Sequence, residues 1–324
     1  MVKKYYVHIM TVVLGIFIFI ATWNVMHSGT EDKSTLNRNQ PRIALIAHVK
    51  NNPYWMVVKK GAEAAAKERG CILEYYGSST ANVYEDLNLI DMNIAAKVDG
   101  LITYVQEEEK YTPSINKAID KGIPVITVET DAKSSKRISY VGTDNAAAGR
   151  MAGEVLWQKT NGEANIGIIM AGLTTTNQVE RVDGFKKFLA TKSRLNIIAT
   201  ESSNSYELNA KLAAKKIISE YPEVNFLYCT SAVDGIGAAK AIVEEGLQGK
   251  VSIICFDDLP DTLTFIKNGT IYASIVQRPY DMGYESVNMI MDKIQGKAVK
   301  DYNITKTIVV TRDNVASYEN SQKE

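Results

Sequence analysis

From residue 42 almost to its end, this 324-residue chain alternates short β-rich apolar runs with amphipathic stretches of helical period. The first series is RIALIAHV at 42–49, a helical pattern at 53–69, CILEYY at 71–76, a helix at 82–97, GLITYV at 100–105, a helix near 112–121, IPVITVE at 123–129 and, after a loop, a helix at 144–160. A second series has NIGIIMA at 165–171, a helix at 176–190, NIIATE at 196–201, a helix at 206–220, NFLYCT at 225–230, a helix at 232–246 and VSIICFD at 251–257. Strand–helix alternation of this kind builds βαβ units with parallel strands. The pattern therefore predicts a four-stranded first sheet and a second sheet of the same design. The segment IYASIVQRPYDMGYESVNMIMDKIQG adds a strand and a helix, and KTIVVTRDNV adds a last strand before a polar tail. The length exceeds one ordinary core and fits two doubly wound α/β lobes of roughly 100–150 residues each.

Composition removes several function classes. Lys plus Arg equals Asp plus Glu at 37 each, so no basic face is offered to nucleic acid. Cys71, Cys229 and Cys255 are widely spaced beside apolar runs and read as buried thiols. Of three histidines, His8 and His27 flank the first apolar run, and His48 is expected as a hydrogen-bonded core residue near the end of the first strand. No metal site or His-based triad follows from these. A search for GxSxG, a P-loop, HExxH and GxGxxG finds only DGIGAAK at 234–240, which lacks the third glycine. No enzyme and no cofactor is expected.

Residues 9–23, IMTVVLGIFIFIATW, carry no charge. With Tyr5–His8 and Asn24–Met26 the run reaches the roughly 20 residues that span a bilayer. Lys3 and Lys4 precede it and Glu31 and Asp32 follow, which places the N-terminus in the cytoplasm and the rest of the chain outside. The run ends in ATWNVMHSG without a clear small-x-small cleavage site, which favours an uncleaved anchor at 1–27, meeting the membrane through residues 5–26, over a cleaved signal peptide. Residues 28–40, SGTEDKSTLNRNQ, read as a flexible stalk.

In an open parallel sheet, ligands bind beyond the carboxyl ends of the strands. Those positions hold KNNPYWM with Asn52, Tyr54 and Trp55, then Tyr104, Glu129 and Thr130, the loop to Arg181, Tyr206, Ser231 and Asp257. Aromatic faces for C–H stacking, with carboxylate, amide and guanidinium groups for hydroxyls, suit a neutral polyol. Competing local roles exist: Tyr54 or Trp55 as an apolar wall, and Asn52, Glu129, Ser231 or Tyr206 as turn residues. Asp258, beside Asp257, is expected to cap the helix that follows Leu259. The run EEEK at 107–110 reads as a solvated helix face.

Seven segments, taken in order, resemble the type I periplasmic-binding proteins, and within them the ribose- and other pentose-binding members. They are NPYWMVVKKGAEAAAKERG at 52–70, KVDGLI at 97–102, KGIPVITVE at 121–129, VGTDNAAAGRMAGE at 141–154, QVERVDGF at 178–185, VSIICFDD at 251–258 and SIVQRPYDMG at 274–283. The resemblance implies ligand contacts at Asn52, Tyr54, Trp55, Tyr104, Glu129, Arg181, Tyr206, Ser231, Asp257 and Gln277, the last also readable as a hinge amide. It further implies three passages between lobes near 142, 277 and 303, giving one lobe at 41–142 plus 278–303 and the other at 143–277 plus 304–324. The sequence departs from the ribose pattern at Glu129–Thr130 and at Ser231, so the resemblance does not fix ribose as the ligand. Certain membrane-anchored, xylose-binding relatives sit with a sensor histidine kinase, and the anchor with its short stalk is similar to that arrangement; delivery to an ABC permease is the alternative. The same two lobes also serve as inducer-binding cores of repressors, but no basic recognition helix precedes residue 41.

Overall fold

Strand β1 (Arg42–Ala47), whose last five residues are buried, is the centre from which the first sheet grows. In the computed structural model, which describes residues 40–321, β1 pairs in parallel with β2 (Ile72–Gly77) on one side and β3 (Gly100–Thr103) on the other. Strands β4 (Val125–Val128), β5 (Ser139–Gly142) and β11 (Tyr302–Ile304) continue it to the order β11-β5-β4-β3-β1-β2, every pair parallel. The second sheet has the order β12-β10-β9-β8-β6-β7. Its strands are β6 (Ala164–Met170), β7 (Leu195–Ser202), β8 (Phe226–Cys229), β9 (Ser252–Phe256), β10 (Ala273–Val276) and β12 (Ile308–Thr311), with only β12 antiparallel to its neighbour β10.

The first sheet has six strands rather than the four expected, because β5, SYVG, and β11, YNI, hold only one aliphatic residue each and do not stand out as apolar runs. Both sheets are covered on both faces, which is why their strands read as nearly continuous apolar runs. On the first sheet, helices α1 (Pro53–Arg69) and α9 (Pro279–Ile294) pack over Leu45, Ile102 and Ile126. On its other face, α2 (Val83–Ala95) and α3 (Glu108–Asp120) cover Ala44, Ile46 and Leu101. The second sheet lies between α4 (Asn145–Thr160) with α5 (Thr176–Leu189) on one face, and α6 (Glu207–Glu220), α7 (Ala232–Glu244) and α8 (Pro260–Asn268) on the other. The end expected as a polar tail instead carries α10 (Val315–Ser321), which buries Val315 and Tyr318 against the second sheet's core.

Local chemistry sets the helix starts. Asn52 accepts the Tyr54 N–H at 2.9 Å and Pro53 opens α1, while Asp144 and Ser231 cap α4 and α7. Asp258 does not cap α8 as expected. Leu259 holds the cap position ahead of Pro260, and Asp258 accepts a hydrogen bond from Tyr318 at 2.5 Å. Cys229 and Cys255 are buried, whereas Cys71, just ahead of β2, is only half-buried. Among the described residues no helix is long and apolar enough to cross a membrane. The expected anchor at 1–27 and all of the stalk at 28–40 except Gln40 lie outside the described residues.

Each sheet is wound outward in both directions from its first strand, as 2-1-3-4-5 and 7-6-8-9-10, so a crevice opens where β1 meets β3 and another where β6 meets β8. The chain leaves the first sheet after Gly142, returns after Val276 and passes to the second again after Ile304.

Candidate functional site

The first residues beyond β1 and β3 are His48 and Tyr104, and their rings lie 4.5 Å apart at the crevice of the first sheet. Trp55, buried in the first turn of α1, meets Tyr104 edge-on at 5.5 Å and Tyr54 at 6.0 Å. Together these aromatics form one wall of a tight pocket with a free volume of about 80 Å³. Across it, the second sheet contributes the start of α5 with Thr175, Asn177, Gln178 and Arg181, the cap residue Ser231, and Asp257.

The carboxylates arrive from opposite sheets. Glu129 follows β4 and Asp257 follows β9, each in a left-handed backbone conformation with φ of 67° and 65°. The Glu129 loop is fixed from behind: Asp131 accepts from the Thr127 hydroxyl and, as a buried ion pair, from Arg137. The Tyr140 hydroxyl donates to the Glu129 carbonyl at 3.0 Å.

Arg181, 1% exposed, is the centre of the polar network. It donates from Nε to Asn145, from Nη1 to the Thr230 carbonyl at 2.8 Å, and from Nη2 to Glu129 at 3.1 Å and Gln277 at 2.8 Å. Its guanidinium lies 4.1 Å from the centre of the Phe256 ring. Glu129 is thus paired across the two sheets with Arg181, and it also accepts from Asn177 at 3.0 Å and from the Tyr54 hydroxyl. A buried pair held this way avoids stranding either charge.

Asp257 is less completely satisfied. Gln277 donates to its Oδ1 at 2.8 Å, and Oδ2 accepts no hydrogen bond from the described residues. Burial pushes its carboxyl up to about 7, opposed in part by Arg181. Burial also raises the Glu129 carboxyl, with Arg181 pulling against it.

Of the ten residues singled out from the sequence, eight line this pocket: Asn52, Tyr54, Trp55, Tyr104, Glu129, Arg181, Ser231 and Asp257. Gln277, the first residue after β10, is not a pocket wall; its side chain accepts from Thr143 and Arg181 while donating to Asp257, so it orients the charged groups. Tyr206 caps α6 outside the pocket, with 49% exposure. Sequence reasoning missed Asn177 and Gln178, which lie in the first turn of α5 and are not the first residues after a strand. It also misplaced His48. Strand β1 stops at Ala47, so His48 is not a hydrogen-bonded core residue but a pocket wall, and its buried Nε2 has no partner among the described residues. Burial lowers its pKa to about 4, leaving a neutral ring. The Asn177 Oδ1 and Gln178 Oε1 atoms are buried without partners in the same wall. The gap is therefore lined by aromatic rings, a carboxylate oxygen and acceptors that lack donors among the described residues.

The periplasmic binding protein domain family matches residues 43–298. The chain belongs to the type I periplasmic binding proteins of the ribose/xylose-binding kind. Among solved structures it is similar to XylFII, with 47% identity over 84% of this chain and 99% of that one and a TM-score of 0.81. In the XylFII–LytSN complex the match is again 47% identical, over 85% and 98% of the two chains, with a TM-score of 0.82. GanP, a glucose-galactose binding protein from Geobacillus stearothermophilus, is 41% identical over 86% of this chain and 99% of its own, with a TM-score of 0.83. Among curated relatives, the D-ribose/D-allose-binding protein of Pseudomonas aeruginosa is 25% identical over 263 residues, covering 78% of this chain and 80% of that protein. These family members are binding proteins, and this chain is a sugar-binding protein of their type.

Proposed function

We propose that the chain is an extracytoplasmic, non-catalytic receptor for a small neutral sugar, a pentose such as xylose, which reports occupancy by closing its two lobes. The observation that carries this reading is the gap itself: Trp55, Tyr104 and Tyr54 present ring faces while Asp257 Oδ2 and the acceptors of Asn177 and Gln178 await hydroxyl donors. A sugar ring supplies both C–H faces and hydroxyls, whereas a lipid would leave these polar atoms unpaired. Relatives that bind ribose, allose, glucose or galactose support a monosaccharide unit.

In this reading the lobes are 41–142 plus 278–303 and 143–277 plus 304–324. The arrangement with Glu129 paired to Arg181 is then the closed one, and opening would separate Glu129 and Asn52 from Arg181 and Asp257. Hinge closure around a ligand is the general behaviour of periplasmic binding proteins as a class. Calorimetric titration of residues 41–324 with pentoses and hexoses tests the assignment; no heat with any sugar, while another solute class binds, would defeat it.

The downstream partner in this proposal is a membrane sensor kinase. A similar protein has been solved in complex with LytSN, and a helical anchor followed by about a dozen stalk residues would hold the receptor beside one membrane partner. Delivery to an ABC permease is the second reading, favoured by the 24% identity to the ribose import binding protein RbsB of Escherichia coli. Co-purification from membranes separates them: a permease without a kinase would overturn the sensor assignment.

A further inference from the structure

The cleft continues beyond the inner pocket. His48, Ala171, Thr175 and Ser205 are walls both of that pocket and of an adjoining chamber with a free volume of about 430 Å³. The outer chamber is also built from both sheets: Thr80 and Gln106 come from loops after β2 and β3, and Thr174, Asn204 and Tyr206 from loops after β6 and β7.

Three observations point to a ligand there. The Gln106 Oε1 atom is buried and has no hydrogen-bond partner among the described residues, and neither has His48 Nε2 on the shared wall. A buried acceptor without a donor is costly unless something supplies one. Tyr206, at 49% exposure, makes no cap bond with its side chain and keeps its ring available. The loop that presents it holds Asn204 and Ser205 both at left-handed φ, 52° and 62°, a conformation that non-glycine residues seldom adopt in succession.

The chemistry of this chamber is uncharged. Among the described residues no Asp, Glu, Lys or Arg lines it, and burial keeps the shared imidazole neutral near physiological pH. Such a lining matches hydroxyls against Gln106, Asn204 and Thr174, with a C–H face against Tyr206. The outer space adjoins the inner pocket through the shared walls His48, Ala171, Thr175 and Ser205.

We propose that the outer chamber is a second saccharide subsite, so that the ligand held best is a disaccharide with one ring in the inner pocket and the next against Tyr206. This rests on the sugar reading above and extends it. Tyr206, singled out from its strand-end position, is then a ligand residue of the second ring rather than of the first.

The test uses the full-length chain and calorimetry with matched pairs: xylose and xylobiose, glucose and cellobiose, galactose and a galactose disaccharide. The expected result is at least one disaccharide binding about tenfold tighter than its own monosaccharide, a difference of about 1.4 kcal/mol. Tyr206→Ala, at an exposed position, should erase that increment while leaving monosaccharide affinity within about twofold and the melting temperature unchanged. Gln106→Ala should reduce the same increment. Monosaccharides that bind while no disaccharide binds better would overturn the second subsite alone. So would Tyr206→Ala weakening monosaccharide and disaccharide equally. Silence from every saccharide would instead overturn the sugar reading, and the subsite with it.

Discussion

Glu129 and Asp257 are counterparts: each is the first residue after the third strand counted from its own sheet's β11 or β12 edge, each has φ near 65°, and both carboxylates enter one gap from opposite sheets. A non-glycine residue held there costs on the order of 1–3 kcal/mol, which the surrounding structure must offset. Their surroundings differ. Glu129 is committed on both oxygens to Arg181, Asn177 and Tyr54, whereas Asp257 keeps one oxygen free. In the proposed receptor, Glu129 is therefore a lobe-to-lobe tie and Asp257 is the acceptor left for the ligand.

Asp257→Asn should separate binding from stability. The amide oxygen can still accept from Gln277, and asparagine tolerates left-handed backbone better than most residues. Sugar affinity should fall by at least about 2 kcal/mol, as for truncation of a buried charged contact. The ligand-free protein at pH 8 should gain stability on the order of 2 kcal/mol, because an ionised carboxylate no longer has to be buried. Calorimetry and thermal melts check both; weaker binding accompanied by a lower melting temperature would contradict the assignment.

The same residue predicts a pH dependence of definite sign. In the ligand-free protein the Asp257 carboxyl titrates near 7. A sugar hydroxyl donates to the ionised form, so affinity should be flat above about pH 8 and fall toward tenfold per unit as pH drops below about 7. Stability runs the other way. The folded-state pKa is raised above the ordinary value of 3.8, so this group's contribution is fully present below that value and is lost as pH rises through about 7. Titrations from pH 5.5 to 8.5 should show the affinity slope in the native chain and none in Asp257→Asn.

The parts of this fold that were legible in the sequence are those whose residues repeat a period. Helix α1 falls at 53–69 as its pattern predicts, because Asn52, Pro53 and Gly70 punctuate both ends. The strand-end rule located Glu129 and Asp257 because β4, VITV, and β9, SIICF, are mostly apolar runs that stop at a charge. Strand β11, YNI, exposes its two hydrophobic residues and is specified by its pairing with β5. The roles within the gap were least legible. That Glu129 is consumed by Arg181 while Asp257 is not depends on contacts across 52 residues of sequence and two sheets, which no local pattern records. His48 was misjudged because β1 stops two residues short of the end of the apolar run at 42–49.

The cross-sheet tie should govern shape in the absence of sugar. In Glu129→Ala, Arg181 keeps its bonds to Asn145, Thr230 and Gln277 but loses its paired charge, and Asn177 and Tyr54 lose their acceptor. Removing one member of a buried pair costs about 3–5 kcal/mol. In the proposed hinge mechanism that cost falls on the closed arrangement, since separated lobes would return Arg181 to water. Small-angle scattering of the ligand-free variant should show a larger radius of gyration than the native chain, and an unchanged radius would show that the pair does not hold the lobes together.

A last consequence concerns how Arg181 is positioned at all. Helices α4 and α5 touch through glycines: a Cβ on Gly149 would lie 1.8 Å from the Arg181 carbonyl oxygen, and one on Gly184 would lie 2.0 Å from that of Ala146. Backbone carbonyls inside helices cannot yield as a flexible side-chain end can, so Gly149→Ala must push α5 outward. Overpacking of this kind typically costs about 1–3 kcal/mol. Because α5 carries Asn177, Gln178 and Arg181, the displacement should also loosen the bonds to Glu129 and Gln277. Gly149→Ala should therefore weaken sugar binding by at least about tenfold in calorimetry. Unchanged affinity in a folded Gly149→Ala variant would show that the seating of α5 does not set binding.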